Sequence, residues 1–168
     1  MYRARNVACG YSQIPNIDFT DSFSPVINDM SWKILIIVCI IHELDIRLLD
    51  VETAFQHGEL DVEIFMEPPE GIEDIMELNR KEECMELLAC TYGLVQASRQ
   101  YRKKFVQVMK SHGVEEIDAD PCLMIKLKEN KPILYVGTHM DDSTTVGKIE
   151  DINEMVKHME KEGLTTKC

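Results

Sequence analysis

Apolar and polar positions predict a helix followed by a strand in the first third of the chain. The helix runs to about His42, with Asp29 or Ser31 as its cap, and it should be buried. Its apolar positions at helical spacing are Ile34, Leu35, Val38 and Ile41. The pattern then changes to alternation in DIRLLDV, which predicts a strand.

One face of this strand carries an acid at the end of an apolar row. Ile46, Leu48 and Asp50 share that face because side chains in a strand alternate. Burying an unpaired carboxylate is costly, so we expect hydrogen-bond donors or a cation beside Asp50.

Two more helices and a hairpin are predicted in the second half. One helix runs from about Ser98 to His112 and ends at Gly113, with its basic side chains outward. Its inward positions are Tyr101, Phe105, Val108 and Met109. The runs CLMIKLK and ILYV, joined by ENKP, predict a β-hairpin.

A last helix follows Gly147 and stops at Gly163. Its inward positions are Ile149, Ile152, Val156 and Met159. The mixed order of helices and hairpins predicts an α+β fold, and 168 residues fit one domain over residues 1–168.

The charge is strongly acidic but uneven. Thirty acids against 18 bases give a net charge of −12, which by itself argues against a nucleic-acid partner. Residues 59–86 hold eleven acids, whereas residues 95–110 hold five bases and no acid. One local basic surface is therefore predicted on the second helix.

Cysteine spacing and hydropathy indicate a compartment inside the cell. The six cysteines form no C-x-x-C pair, and no secretion signal opens the chain. The apolar run at 34–41 is too short to span a bilayer. We expect a protein of the cytoplasm or nucleus, neither secreted nor in a membrane.

The stretch ILYVGTHMDDSTTVG places two carboxylates, Asp141 and Asp142, where two strands meet. The ordinary interpretation is a turn, since Asp tolerates tight turn geometry. The alternative is a metal site, which needs a third carboxylate from elsewhere in the chain.

Long motifs in a fixed order resemble the reverse transcriptase of copia-type LTR retrotransposons. They are YRARNVACGYSQ, DFTDSFSPV, LLDVETAFQHGELDVEIFMEPPEGI, TYGLVQASRQYRKKF, DADPCLMIK and HMDD. The resemblance runs from Tyr2 to about Gly163. It implies a polymerase palm, an antiparallel sheet with packed helices, mostly over residues 31–168. Partial fingers would occupy residues 1–30, and the thumb would be missing.

The resemblance also implies a site and its chemistry. Asp50, Asp141 and Asp142 match the catalytic triad, so Asp50 supplies the third carboxylate. They would hold two Mg²⁺ ions, or Mn²⁺ in their place, for nucleotidyl transfer to a primer 3′-hydroxyl. The partners, if the chain is active, would be an RNA or DNA primer-template and deoxynucleotides. The remainder of a retrotransposon polyprotein would be a further partner.

Other positions carry over from the family motifs. The nucleotide-binding matches are Arg5, Phe55, Gly93 and Gln96. The nucleic-acid-binding matches are Arg99, Arg102, Lys103 and Lys104. Structural alternatives are a core aromatic for Phe55, a solvated arginine for Arg5, and an exposed helix face for the basic set.

Several departures from the family pattern lead us to expect at most weak activity from this truncated chain alone. His139 and Met140 replace Tyr-Val before the acid pair, and Gly137 and Thr138 should interrupt the strand and weaken its packing. Cys9 stands where the family tends to have a lysine, which lowers phosphate affinity.

Two other functions compete with the enzyme. A non-catalytic captured fragment could bind RNA or protein through SRQYRKKF. A phosphatase of the haloacid-dehalogenase class needs an Asp two positions after Asp50, where this chain has Glu52. That second alternative is therefore disfavoured.

Overall fold

The computed structural model describes residues 6–72, 75–76, 78–79 and 82–167. Within them it contains three α-helices and eight strands. In chain order these are α1 (Asp29–Ile41), β1 (Asp45–Val51), β2 (Phe65–Met66), β3 (Met85–Glu86), α2 (Ala97–Ser111), β4 (Val114–Ile117), β5 (Asp120–Lys128), β6 (Lys131–His139), β7 (Asp142–Gly147), α3 (Ile149–Lys161) and β8 (Thr166–Lys167). The strands pair antiparallel, so the predicted mixture of helices with an antiparallel sheet is confirmed.

The chain divides into two compact units that interleave along the sequence. The first comprises Met1–Phe23 and Phe55–Tyr101, and the second comprises Ser24–Ala54 and Arg102–Cys168. The first unit contains the two-stranded sheet β2–β3. Its buried core residues are Ala8, Ile64, Cys90, Leu94 and Ala97.

The second unit contains a six-stranded sheet in the order β4-β5-β6-β7-β1-β8. Strands β5 and β6 form the hairpin predicted from the sequence. Its turn residues, Glu129 and Asn130, both have positive φ, +52° and +61°. Two positive φ values in a two-residue loop match the right-handed twist of the flanking strands.

Helix α1 occupies the predicted range, but its cap and its burial differ from prediction. Asn28 is the cap, and its Oδ1 accepts a hydrogen bond from the Met30 N–H at 2.8 Å. Leu35 is buried, whereas Ile34 and Ile41 are 52% and 68% exposed. The predicted buried stripe is therefore wrong, because the helix packs on the sheet through Leu35, with Trp32 and Cys39 partly buried beside it.

Strand β1 is confirmed, and it buries the opposite face from the one that the apolar row suggested. Leu49 and Val51 are 1% and 2% exposed, whereas Ile46, Leu48 and Asp50 are exposed. We call the face of Leu49 and Val51 the inner face of the sheet and the face of Leu48 and Asp50 the open face.

The inner face is the one that packs against helix α3. Arg47 shares the inner face with Leu49, and its Nη1 donates to Asn153 Oδ1 of α3 at 3.0 Å. Helix α3 contacts β6, β7 and β8. Burial under α3 therefore overrides the apolar pattern of Ile46 and Leu48 in deciding which side of β1 becomes core.

Helices α2 and α3 match their predicted ranges to within about one residue. All four inward positions predicted for α2 are buried, and Gly113 follows with a φ of +80°. In α3, Ile152 and Met159 are buried as predicted, together with Met155, which the pattern missed. Ile149 and Val156 are only partly buried. Gly163 follows α3 with a φ of +90°.

Strand β6 is continuous through Gly137 and Thr138, which corrects the expectation that they interrupt it. Its pairing with β7 runs from Leu134 to His139 without a shift in register. A Cβ at Gly137 would lie 2.7 Å from Ile27 Cδ1, so the missing side chain makes room for the segment before α1. The Ile27 N–H also donates to the Thr138 carbonyl at 2.9 Å.

Candidate metal and nucleotide site

The sheet register brings two of the three predicted catalytic acids together. Asp50 of β1 lies directly opposite Asp142 of β7. Asp142 also lies opposite His139 of β6, and Asp50 lies opposite Lys167 of β8. Opposed residues share a face, with Cβ atoms about 4.5–5.5 Å apart. We call His139, Asp142, Asp50 and Lys167 the acid row.

Asp141 lies beside this row rather than within it. Met140 and Asp141 form the two-residue turn between β6 and β7. Met140 has a φ of +56°, a conformation that non-glycine residues seldom adopt and that is often found near functional sites. The turn thus holds Asp141 next to Asp142 in the chain, half-buried at the end of the sheet.

A pocket of about 660 Å³ opens over the acid row, and all four acid-row residues line it. Ile27, Trp32 and Leu48 add an apolar wall, all within the second unit. A concave site with an apolar wall and a few convergent charged groups is typical of small-molecule binding sites.

Lys167 lies directly opposite Asp50 in the sheet, but its ammonium group forms an ion pair with Glu52, and Asp50 is exposed rather than buried. The Lys167 Nζ lies 2.6 Å from Glu52 Oε1, and its side chain is more than half exposed. The residue itself was not predicted as part of the site, because a strand of two residues carries no periodic signal. In the sequence, His139 differs from the family motif and gives no other signal of a role in the site.

The acid row fits a magnesium site in its donor chemistry. Among the residues that the structure describes, no three His, Cys, Asp or Glu side chains converge closely enough to hold a metal ion. Mg²⁺ is commonly held by one or two carboxylates, with substrate phosphates and water completing its shell. The pair formed by Asp50 and Asp142 meets that requirement.

Three of the four predicted nucleotide-binding residues belong to the first unit, and Arg5 lies outside the described residues. Phe55 is half-buried and makes edge-to-face contacts with Tyr92 and Tyr101, with ring centroids 4.8 and 6.3 Å apart. Phe55 thus packs within an aromatic group of the first unit.

Gln96 and Gly93 hold the N-terminal segment of the first unit. Gln96 is fully buried; its Nε2 donates to the Asp18 carbonyl at 2.9 Å and its Oε1 accepts from Gln13 Nε2 at 3.1 Å. Gly93 has a φ of +94°, and a Cβ there would overlap the Ala8 carbonyl oxygen. Both residues therefore have a structural role in this unit.

The four basic matches on α2 differ in their environments. Arg99 Nε lies 3.1 Å from Asp21 Oδ2, and Arg102 Nη2 donates to Glu116 Oε1 at 2.7 Å. Arg102 Nη2 also donates to the Pro121 carbonyl at 2.9 Å. Lys103 is exposed and Lys104 is partly exposed. Both arginines are thus bonded within the protein.

Comparisons with known proteins agree along nearly the whole chain. A family model described as "Reverse transcriptase (RNA-dependent DNA polymerase)" matches residues 1–166. The chain is 37% identical over 147 residues, 88% of its length, to the Retrovirus-related Pol polyprotein from transposon TNT 1-94 of Nicotiana tabacum. It is 34% identical over 146 residues, 87% of its length, to the corresponding polyproteins from transposons RE2 and RE1 of Arabidopsis thaliana.

These relatives are far longer than the chain. It spans 11% of the length of the tobacco polyprotein and 10% of each Arabidopsis one. Within the described part of the chain, no helix is both long enough and apolar enough to cross a bilayer.

Proposed function

The chain belongs to the reverse transcriptase (RNA-dependent DNA polymerase) family, and we propose that it carries the catalytic acids for RNA-directed DNA synthesis. The reaction would be transfer of a deoxynucleotide to a primer 3′-hydroxyl on an RNA or DNA template. The observation that supports this proposal most directly is the register that sets Asp50 opposite Asp142 at an open pocket.

In this proposal the acid row and the adjacent turn form the catalytic centre. Asp50 and Asp142 would provide hard oxygen ligands for a divalent cation, Mg²⁺ or Mn²⁺. Asp141, in the adjacent turn, would have to move toward them to help hold two such ions, because the three side chains do not converge in the structure. The chemistry supplied by such ions when bound would be activation of a hydroxyl nucleophile and stabilisation of the leaving pyrophosphate. Ile27, Trp32 and Leu48 would limit water on the apolar side of the pocket and help orient the bound nucleotide.

We further propose that residues 31–168 are mostly the palm of a polymerase, with partial fingers in residues 1–30. Because the matched relatives are Pol polyproteins, the chain would act as one portion of such a polyprotein. Alone it would extend a primer weakly, since grip on a primer-template duplex would depend on other portions.

The proposal is tested by primer extension with Mn²⁺ or Mg²⁺, deoxynucleotides and an annealed primer-template. We expect weak extension from the wild-type chain and none from Asp50→Asn or Asp142→Asn. Asp45→Asn, an exposed acid at the other end of β1, is the matched control and should extend as the wild type does. Extension that survives Asp50→Asn, or no extension by the wild-type chain, would contradict the proposal.

A filter-binding assay with labelled RNA distinguishes the polymerase from the alternative, a non-catalytic RNA- or protein-binding module. Lys103→Ala combined with Lys104→Ala tests the charged face of α2 without breaking the bonds of Arg102 to Glu116 and Pro121. RNA retention that falls in this double variant, while Asp50→Asn is harmless and extension is absent, would favour the binding module.

A further inference from the structure

A cluster of basic and hydroxyl side chains lies at the C-terminal end of α2, away from the acid row. It joins Ser111 and His112 to Lys126 of β5 and His158 of α3. The two imidazole rings are tilted by 31°, with centroids 4.9 Å apart. All four residues belong to the second unit. We call this set the histidine cluster.

The hydrogen bonds fix the proton positions on both rings. Lys126 Nζ lies 3.0 Å from His112 Nε2, and an ammonium group can only donate. His112 Nε2 must therefore be the acceptor, so this ring is neutral and carries its proton on Nδ1.

His158 has the opposite tautomer. The Ser111 hydroxyl donates its one proton to the Val108 carbonyl at 2.8 Å. Its Oγ also lies 2.8 Å from His158 Nε2, and it must accept there because its proton is already used. His158 therefore carries a proton on Nε2. His112 thus links the end of α2 to Lys126 of β5, and His158 of α3 contacts Ser111, the last residue of α2.

Charges around His112 oppose its protonation. Burial lowers the pKa of His112 below its ordinary value of 6.5, and the nearby Lys126 and His158 lower it further. Glu154 of α3 acts in the opposite direction and is the weakest of these influences. Protonation would also remove the acceptor for Lys126, so it would place two cations where one hydrogen bond had been.

We propose that His112 is a pH-sensitive latch that ties the end of α2 to β5 and α3. With His112 neutral, Lys126 is bonded and the rings pack against each other. With His112 protonated, the Lys126 bond is lost and repulsion within the histidine cluster separates the end of α2 from the sheet.

Because the pKa of His112 is lower in the folded chain than in the unfolded one, this residue makes the folded chain less stable as the pH falls. The unfolded chain takes up this proton at about pH 6.5 and the folded chain only at lower pH. The contribution of His112 to the unfolding free energy is thus fully present above pH 6.5. It declines as the pH falls from there to the pKa of the folded state.

The test combines denaturant unfolding between pH 7.5 and 5 with NMR titration of the imidazole resonances. His112→Gln keeps an acceptor for Lys126 and cannot be charged. The variant should therefore lose part of the pH dependence of the unfolding free energy while keeping the wild-type value at pH 7.5. His42→Gln, which removes an exposed histidine after α1, is the control and should keep the wild-type dependence. Lys126→Met should raise the pKa of His112.

Two results would overturn the latch. One is an unchanged pH dependence in His112→Gln. The other, which needs no variant that might misfold, is wild-type His112 titrating at or above pH 6.5, or showing its proton on Nε2 in the neutral form.

Discussion

The two faces of strand β1 show how the same seven residues serve two purposes. On the inner face Leu49 is 1% exposed, and on the open face its neighbour Leu48 is 70% exposed. The inner face builds the core under α3, and the open face ends in Asp50 beside the pocket. Stability and candidate chemistry are therefore separated by the alternation of one strand.

The difference between the faces arises from what covers them. The inner face is continuous with buried Leu134 and Val136 of β6 and packs against α3. The open face is covered near Gly137, where Ile27 and Leu35 approach the sheet. A fully covered face could not present carboxylates to a substrate, so the uncovered part is where a site can form.

The largest expected effect comes from truncating Leu49, and the adjacent Leu48 provides the control. Leu49→Ala should lower the unfolding free energy by about 2–5 kcal/mol, because it removes a buried side chain and leaves a cavity. Leu48→Ala, the matched control, should change it by less than about 0.5 kcal/mol, since that side chain is mostly in water. Urea unfolding followed by circular dichroism measures both.

Equal losses of unfolding free energy in Leu49→Ala and Leu48→Ala would contradict the difference between the two faces, because they would mean that the open face is also covered in solution. A large loss for Leu48→Ala alone would reverse the assignment of the faces.

A smaller effect of opposite sign is expected in the acid row. Asp142 lies opposite Asp50, and like charges in directly opposed positions destabilise a sheet. Asp142→Asn should therefore raise the unfolding free energy by about 0.2–1 kcal/mol at low salt. The gain should shrink in about 1 M NaCl, where exposed charges are screened.

Asp45→Asn is the control for this gain, because Asp45 lies opposite Gly147 rather than another acid. The same gain in Asp45→Asn would show that the effect reflects the overall charge of −12 and not the pairing of the two acids.

The elements that the sequence predicted best are those with strong local signals. Helix α2 has four inward residues at helical spacing and a glycine at its end, and all four are buried. The β5–β6 hairpin likewise has two β-rich runs around a short polar turn. In both, local propensity and tertiary packing favour the same structure.

The sequence failed where packing partners decide between two similar faces. Apolar residues occur on every side of α1, so its pattern could not identify Leu35 as the one that packs. In β1 both rows contain apolar residues, and the position of α3 determines which row is buried. Lys167 joins the acid row only through a pairing between distant strands, which no local pattern encodes.

The candidate site likewise combines residues that the motifs identify and contacts that depend on the fold. Long motifs identified Asp50, Asp141 and Asp142 by resemblance, and the register of β1 and β7 places two of them opposite each other. The buried hydrogen bonds of Gln96 depend on Gln13 and Asp18, residues about 80 positions earlier in the chain. Such partners appear only in the folded structure.

The central claim, that the acid row holds a divalent cation, is tested most directly by titrating the chain with Mn²⁺ and following the loss of the free-ion signal by electron paramagnetic resonance. Asp50→Asn and Asp142→Asn should each weaken binding by at least about tenfold, a loss that even substitutions outside the first ligand shell commonly produce. Asp45→Asn should bind as the wild type does. Equal Mn²⁺ affinity in the wild type and all three variants would contradict the claim.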